Sequence, residues 1–273
     1  MTIHPTAVVD AKAELAAEVS VGPYSIIGPG VRIDGGTEVG AHAVLEGRVT
    51  IGARCRIGHG AIIGGAPQDL KYRAGVPVGV RIGDDTVIRE YVTIHRATEA
   101  GEDTRVGDHC LVMAASHIAH DCVVGDHVII INNAGLTGHV SVEDHATVGG
   151  LTGIRPFARI GTYAYIGGCS KVVQDVPPFV MADGVPASAR AVNAIGMRRG
   201  GIDPAARRHV KEAFRILYRS GLAPGAAAAR IKAELGDQAL VARLVTFIEA
   251  SRLGIVGAGA EGASDALREE EPE

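Results

Sequence analysis

The chain repeats an aliphatic residue every sixth position over most of its first 172 residues. One run is Ile3, Val9, Leu15, Val21, Ile27, Ile33, Val39, Leu45, Ile51, Ile57 and Ile63; a second is Ile82, Ile88 and Ile94. A third is Val106, Val112, Ile118, Val124, Ile130, Leu136, Val142, Val148, Ile154, Ile160, Ile166 and Val172. Two residues before each aliphatic one stands Ala, Cys, Ser, Thr or Val, Met1 excepted. A helix would space its apolar residues by three and four, and these runs do not. In a strand, residues two apart point the same way. Each hexad therefore buries one small and one larger side chain and then turns, which predicts a long series of very short strands. Gly often follows the aliphatic residue, as in Val21-Gly22 and Ile160-Gly161, and is expected to ease the turn backbone.

Two segments interrupt the period. Gly65 to Gly79 shifts the register by one residue, and His95 to Arg105 puts Ala100 where an aliphatic residue belongs. Both read as projecting loops, and long loops on regular scaffolds often carry function. The repeat ends near Val172. Asp175 to Pro186 is Pro-rich and reads as a connection. From Asp203 the pattern turns helical: Asp203-Pro204 suits an N-cap and N1 pair, and Val210, Phe214, Leu217 and Tyr218 form a stripe that Gly221 can stop. Further helical segments fall at about 224–235 and 237–253. The expected division is a repeat domain over 1–186, a helical part over 187–256, and a small, acidic, disordered tail over 257–273.

Composition narrows the function classes. There are 37 Gly and no Trp, so the core must come from small aliphatic side chains. The net charge of −4 argues against a nucleic-acid surface. The four Cys lack paired or zinc-like spacing, which predicts a reducing compartment. Cys55, Cys110 and Cys122 stand at small inward positions, so core packing accounts for them. Met1 to Asp10 has no basic segment before an apolar run, so no signal peptide is expected. No run of about 18 apolar residues exists to make a transmembrane helix.

Hexads of this kind resemble the left-handed parallel β-helix family, in which three hexads make one triangular coil of about 18 residues. Its winding is an exception to the right-handed crossover rule. With three hexads per coil, residues 18 apart stack at about 4.8 Å. Gly138 then lies over His120 and His139 over Asp121, one compact cluster on one edge. A His with a carboxylate beside it suits general-base work, and a Gly N–H nearby can receive an oxyanion.

HIAHDCVVG (117–125), LTGHVSV (136–142), QDLKY (68–72), VTIHR (92–96), and GGCS (167–170) followed by QDVPP (174–178) together resemble the UDP-N-acetylglucosamine O-acyltransferase family. The resemblance runs from about Ile3 to Gly254. It implies transfer of an (R)-3-hydroxyacyl group from acyl carrier protein to the glucosamine 3-hydroxyl, the first step of lipid A synthesis. His120 would take the hydroxyl proton, Asp121 would orient the imidazole, and the Gly138 N–H would face the oxyanion. Gln68, Asp69 and Lys71 would line the sugar and acyl site. His117, His139, Asn193 and Arg199 would surround the nucleotide sugar, and Gly168 would limit acyl length. The family is homotrimeric and cytoplasmic, with sites between neighbouring prisms, and no metal or other cofactor is expected. Carrier protein is expected to dock near Arg198 and the start of the helical part. From Arg190 to Arg219 eight basic residues face two acids, a net of 8 − 2 = +6 on an acidic chain.

Three positions depart from the family pattern, which often has His-Gln where Arg155-Pro156 stands, His at Pro186 and Glu at Ile195. They leave open a 3-amino sugar nucleotide as acceptor. The related N-acyltransferase usually carries an N-terminal uridine-binding domain, whereas hexads begin here at Ile3. A γ-type zinc carbonic anhydrase would ligate metal through His117, His120 and His139, but QDLKY and the helical C-terminus do not fit it. An ice-binding β-helix would need flat ranks of outward Thr, which are absent.

Overall fold

The computed structural model describes residues 1–259. Its short strands form three sheets of 11, 9 and 8 strands, parallel except for the last strand of the first, and the chain visits them in rotation. These are the three faces of a prism, here called first, second and third in that order. Regular coils pair residues 18 apart, as in Ile118 with Leu136 and Leu136 with Ile154. The coils carrying the two interruptions are longer. Ile57 pairs with Ile88 and Ile88 with Val112, offsets of 31 (88 − 57) and 24 (112 − 88). The insertions thus leave the register of the prism intact on either side.

The interior is the stack of hexad residues, with Ile33, Leu45, Ile51, Ile63, Ile94, Ile118 and Leu136 fully buried. Full burial of such a side chain stabilises by about 1.5–3 kcal/mol. The small inward residues do more than fill space. The hydroxyls of Ser25, Thr37 and Thr86 donate to the carbonyls of Gly40, Gly52 and Gly107, tying the interior to the turns. Burial pushes the Cys110 and Cys122 thiols up to about 11 and about 12, so both act as packing groups.

The turn chemistry differs from the sequence expectation. The left-handed backbone falls three residues after the aliphatic one and is carried mostly by non-glycine residues, among them Asp121 (φ 59°), Asn133 (φ 60°) and His139 (φ 61°). Except for Gly64 (φ 86°) at the first interruption, the Gly directly after the aliphatic residue has no such φ. It is Gly because the next coil lies against it: a Cβ on Gly149 would sit 2.5 Å from Gly168 N, and one on Gly107 would sit 2.6 Å from Gly125 C. Coil-to-coil clearance, rather than backbone freedom, sets those positions.

The loops are also shorter than the sequence suggests. Strands Ile62–Gly65 and Gly79–Ile82 flank the first, and Thr93–His95 and Asp103–Val106 flank the second. The segment 175–186, read as a connection, contains strand Val180–Gly184 on the first face. It turns through a cis Val185-Pro186 bond into strand Ala187–Val192, which is antiparallel. Residues 187–192, expected to open the helical part, are therefore sheet. Four helices follow among the described residues: α1 (Ala194–Arg199), α2 (Pro204–Arg219), α3 (Pro224–Leu235) and α4 (Ala239–Glu249). Asp203 caps α2 as expected, accepting from the Ala205 and Ala206 amides at 2.9 Å each. Of the expected tail, residues 260–273 lie outside the described residues. Gly257 and Gly259 are paired, exchanging backbone hydrogen bonds with Ala189.

Candidate active site

The edge between the second and third faces carries the cluster that the register predicts. Strand His117–Ile118 pairs with Gly135–Leu136, which sets His120 beside Gly138 and Asp121 beside His139 on successive coils. His120 Nδ1 lies 2.7 Å from Asp121 Oδ2, and both side chains are largely buried. His139 Nε2 lies 3.6 Å from the same oxygen, and the two imidazoles meet edge to face with centroids 5.2 Å apart. His120 folds across Gly138 so closely that a Cβ there would lie 2.5 Å from its Cε1. The Gly138 N–H has no hydrogen-bond partner among the described residues, while its carbonyl accepts from Phe157.

Asp121 is held from three sides. Its Oδ1 accepts from the Thr98 amide at 2.9 Å and its Oδ2 from the Thr98 hydroxyl at 2.6 Å. Its own amide donates to Thr104 Oγ1 at 2.9 Å. Burial pushes the Asp121 carboxyl up, but the Thr98 hydroxyl and amide, with His120, outweigh it and hold it below the usual carboxylate range. An ionised Asp121 at Nδ1 fixes the proton there, so Nε2 of His120 carries the free lone pair.

His117 stands on the second face, with Nδ1 2.7 Å from Thr93 Oγ1. Burial, then the neighbouring His120, lowers its pKa. Behind it His95, nine-tenths buried and set edge to face at 4.7 Å, is pushed down to about 4 by burial and then by His117, His120 and Arg96. It is neutral at pH 7. Beyond His117, the outward positions on successive coils are Gly135, Gly153 and Lys171. A Cβ on either Gly would meet nothing within 4 Å, so two coils of this face are bare backbone.

Other residues singled out in the sequence lie elsewhere. Gly168 is exposed on the edge between the first and second faces. Gln68, Asp69 and Lys71 sit on the first loop, anchored by Tyr72 Oη to Arg96 Nε at 3.1 Å, and make no hydrogen bond to the cluster among the described residues. Asn193 caps α1 by accepting from Gly196 N and donates to the Tyr163 carbonyl, on the third edge of the prism. Arg198 and Arg199 are exposed in the last turn of α1. Of the departures, Pro156 stacks above Gly138 and offers no N–H, and Phe157 stacks flat on His139 at 4.5 Å. Ile195 is half exposed.

Three residues escaped the sequence reading. Thr104 was countable only as a small inward position. Thr98 lies on the second of the interrupting loops, and His95 stood at the edge of an interrupted segment. The one group that could hold a metal, among the described residues, is His120, Asp121 and His139, with ligand atoms within 4.8 Å of one another. It differs from the histidine set of the carbonic anhydrase alternative, having Asp121 in place of His117. The Asp121 oxygens already accept from Thr98 and His120, which leaves little ligand capacity. A cavity of about 370 Å³ between the starts of α2 and α4 contains none of these groups.

Residues 175–256 match the family described as Udp N-acetylglucosamine O-acyltransferase, Domain 2, and residues 103–138 match the bacterial transferase hexapeptide. The acyl-[acyl-carrier-protein]–UDP-N-acetylglucosamine O-acyltransferase of Thermodesulfovibrio yellowstonii is 48% identical over 254 residues, covering 93% of this chain and 98% of that protein. The corresponding protein of Syntrophobacter fumaroxidans is 46% identical over 258 residues, covering 94% and 100%. The solved UDP-N-acetylglucosamine acyltransferase from Campylobacter jejuni superposes with a TM-score of 0.88 at 35% identity, covering 94% and 100%. The prism is a left-handed parallel β-helix with C-terminal helices; the hexads predict its coils, and the family resemblance implies its hand.

Proposed function

The chain belongs to the acyl-[acyl-carrier-protein]–UDP-N-acetylglucosamine O-acyltransferase family, and on that footing we propose that it transfers an (R)-3-hydroxyacyl group from acyl carrier protein to the 3-hydroxyl of UDP-N-acetylglucosamine. This is the opening step of lipid A synthesis. The observation that carries the mechanism is the His120–Asp121 pair, with His120 folded over Gly138, whose N–H has no partner among the described residues.

His120 Nε2 takes the proton of the 3-hydroxyl as its oxygen attacks the thioester carbonyl carbon. Asp121 keeps the Nδ1–H tautomer and stabilises the imidazolium, without itself taking the proton. The carbonyl oxygen becomes the oxyanion of a tetrahedral intermediate and is received by Gly138 N–H. Collapse breaks the C–S bond, and the imidazolium proton goes to the departing thiolate of the carrier. The products are an ester and a free carrier thiol.

The cluster stands on an edge of the prism, while Gln68, Asp69, Lys71, Asn193 and Arg199 make no hydrogen bond or ion pair with it among the described residues. A homotrimer accounts for both facts: each site is completed by a neighbouring prism that brings the loop and the α1 region alongside. His117 and His139 then flank the sugar. The acyl chain runs over the bare strip of Gly135 and Gly153 toward Gly168. None of the helices in the described residues is long and apolar enough to cross a membrane; a cytoplasmic location is proposed from the family resemblance.

Mass spectrometry of products formed from (R)-3-hydroxyacyl carrier thioesters tests the reading, with UDP-N-acetylglucosamine and its 3-amino analogue offered together. O-acylated UDP-N-acetylglucosamine is expected. Product from the amino analogue alone, or no transfer, contradicts it.

A further inference from the structure

We propose that Thr98, carried on the loop that interrupts the repeat, is a positioning residue that acts on His120 through Asp121; the inference rests on the acyl-transfer reading above. Thr98 touches both carboxylate oxygens, its amide 2.9 Å from Oδ1 and its hydroxyl 2.6 Å from Oδ2. Two contacts on two oxygens stop the carboxylate plane from rotating. Oδ2 is the oxygen that meets His120 Nδ1 at 2.7 Å. It is also the oxygen that His139 approaches at 3.6 Å. A carboxylate free to turn would share itself between the two imidazoles, and only His120 overlies Gly138.

The grip also sets charge. A largely buried carboxyl tends toward its neutral form, and Thr98 opposes that tendency at both oxygens. A neutral Asp121 could hold neither the tautomer nor the imidazolium of His120.

The repeat itself cannot supply this contact. Thr93 pairs with His117 at an offset of 24 (117 − 93), so the residue in register with Asp121 is Ala97. Ala97 is fully buried and its amide donates to the Gly79 carbonyl, which roots the loop. Thr98 is one residue further on, where the chain leaves the prism, and this swings its side chain back over the edge. Thr104, at the loop's return, receives the Asp121 amide and fixes the backbone beneath. The insertion thus closes on the pair from both of its ends.

The test uses Thr98→Val and Thr98→Ser in the full-length protein. Hydrogen bonds to charged groups are strong enough that Thr98→Val should lower kcat by roughly 10- to 100-fold. KM for UDP-N-acetylglucosamine should change by less than about 3-fold, and Thr98→Ser should restore most of kcat. In an Asp121→Asn background Thr98→Val should cost little more, because its route is already cut. Equal losses in both backgrounds would overturn the proposal. A second measurement does not depend on turnover: NMR titration of the Asp121 carboxyl should show its pKa raised by Thr98→Val. An unchanged titration would overturn it even if the wild-type protein acylated a different acceptor, and absence of any wild-type transfer would count against the function alone.

Discussion

The imidazole of His120 occupies the space in which any residue but glycine at position 138 would carry its Cβ, 2.5 Å from Cε1. Gly138 has an ordinary negative φ, so the backbone itself would accept alanine. The glycine is there for the histidine. Gly138→Ala keeps the N–H yet pushes the ring off its seat. Displacements of about 1 Å can cost about 10²-fold in rate, and a loss of that order in kcat is expected with the melting temperature nearly unchanged. Steady-state kinetics beside a thermal melt checks it. A variant with wild-type kcat would show that the seat is not needed.

The bare strip beside His117 offers a clean probe of donor length. A side chain at Gly153 meets nothing inside the chain, so Gly153→Leu should fold normally and obstruct only what lies outside. Each methylene that loses burial costs about 0.8 kcal/mol, near a fourfold change in kcat/KM. The optimum should move toward shorter hydroxyacyl donors. Gly168→Met, whose Cβ would approach the Gly150 carbonyl at 3.3 Å, should act the same way at the far end with slight local adjustment. The check is kcat/KM across a donor series, and an unmoved optimum in both variants would remove this path.

The fold was legible because one spacing governs the prism. A period of six with a small residue two before the aliphatic one says which side chains are buried, and a repeat of 18 then says which edge residues meet. His120, Asp121, Gly138 and His139 came together by that counting. Thr98 did not, because its segment keeps the spacing of six while the chain leaves the prism there, so a count of 18 does not set it beside Asp121. Strand Val180–Gly184 hid behind its prolines, which lie at its flanks rather than within it. The role of glycine at the turns was misread for a related reason. A sequence shows that glycine recurs, but only the packing of one coil on the next shows that Cβ clearance is the cause.

The exposed side of α2 presents Arg208, Lys211, Arg215 and Arg219 at helical spacing. Arg215 is paired with Glu212 at 2.7 Å, which makes it a poor probe of an external partner. Arg208 and Lys211 form no ion pair among the described residues. Acyl carrier proteins are acidic, and opposed fields speed encounter. Arg208→Glu with Lys211→Glu should raise KM for the carrier substrate by about 10-fold or more at low salt, leaving kcat close to wild type. Added salt should raise the wild-type KM and narrow the gap. Equal KM values at low salt would move the docking surface elsewhere.

The central claim is that His120 is the general base of an acyl transfer, and His120→Ala tests it most directly. The measurement is turnover of (R)-3-hydroxyacyl carrier protein with UDP-N-acetylglucosamine, on protein whose assembly state matches the wild type. Loss of the base should lower turnover by roughly 10²- to 10⁴-fold. A correctly folded His120→Ala protein that turns over at a near wild-type rate would contradict the account.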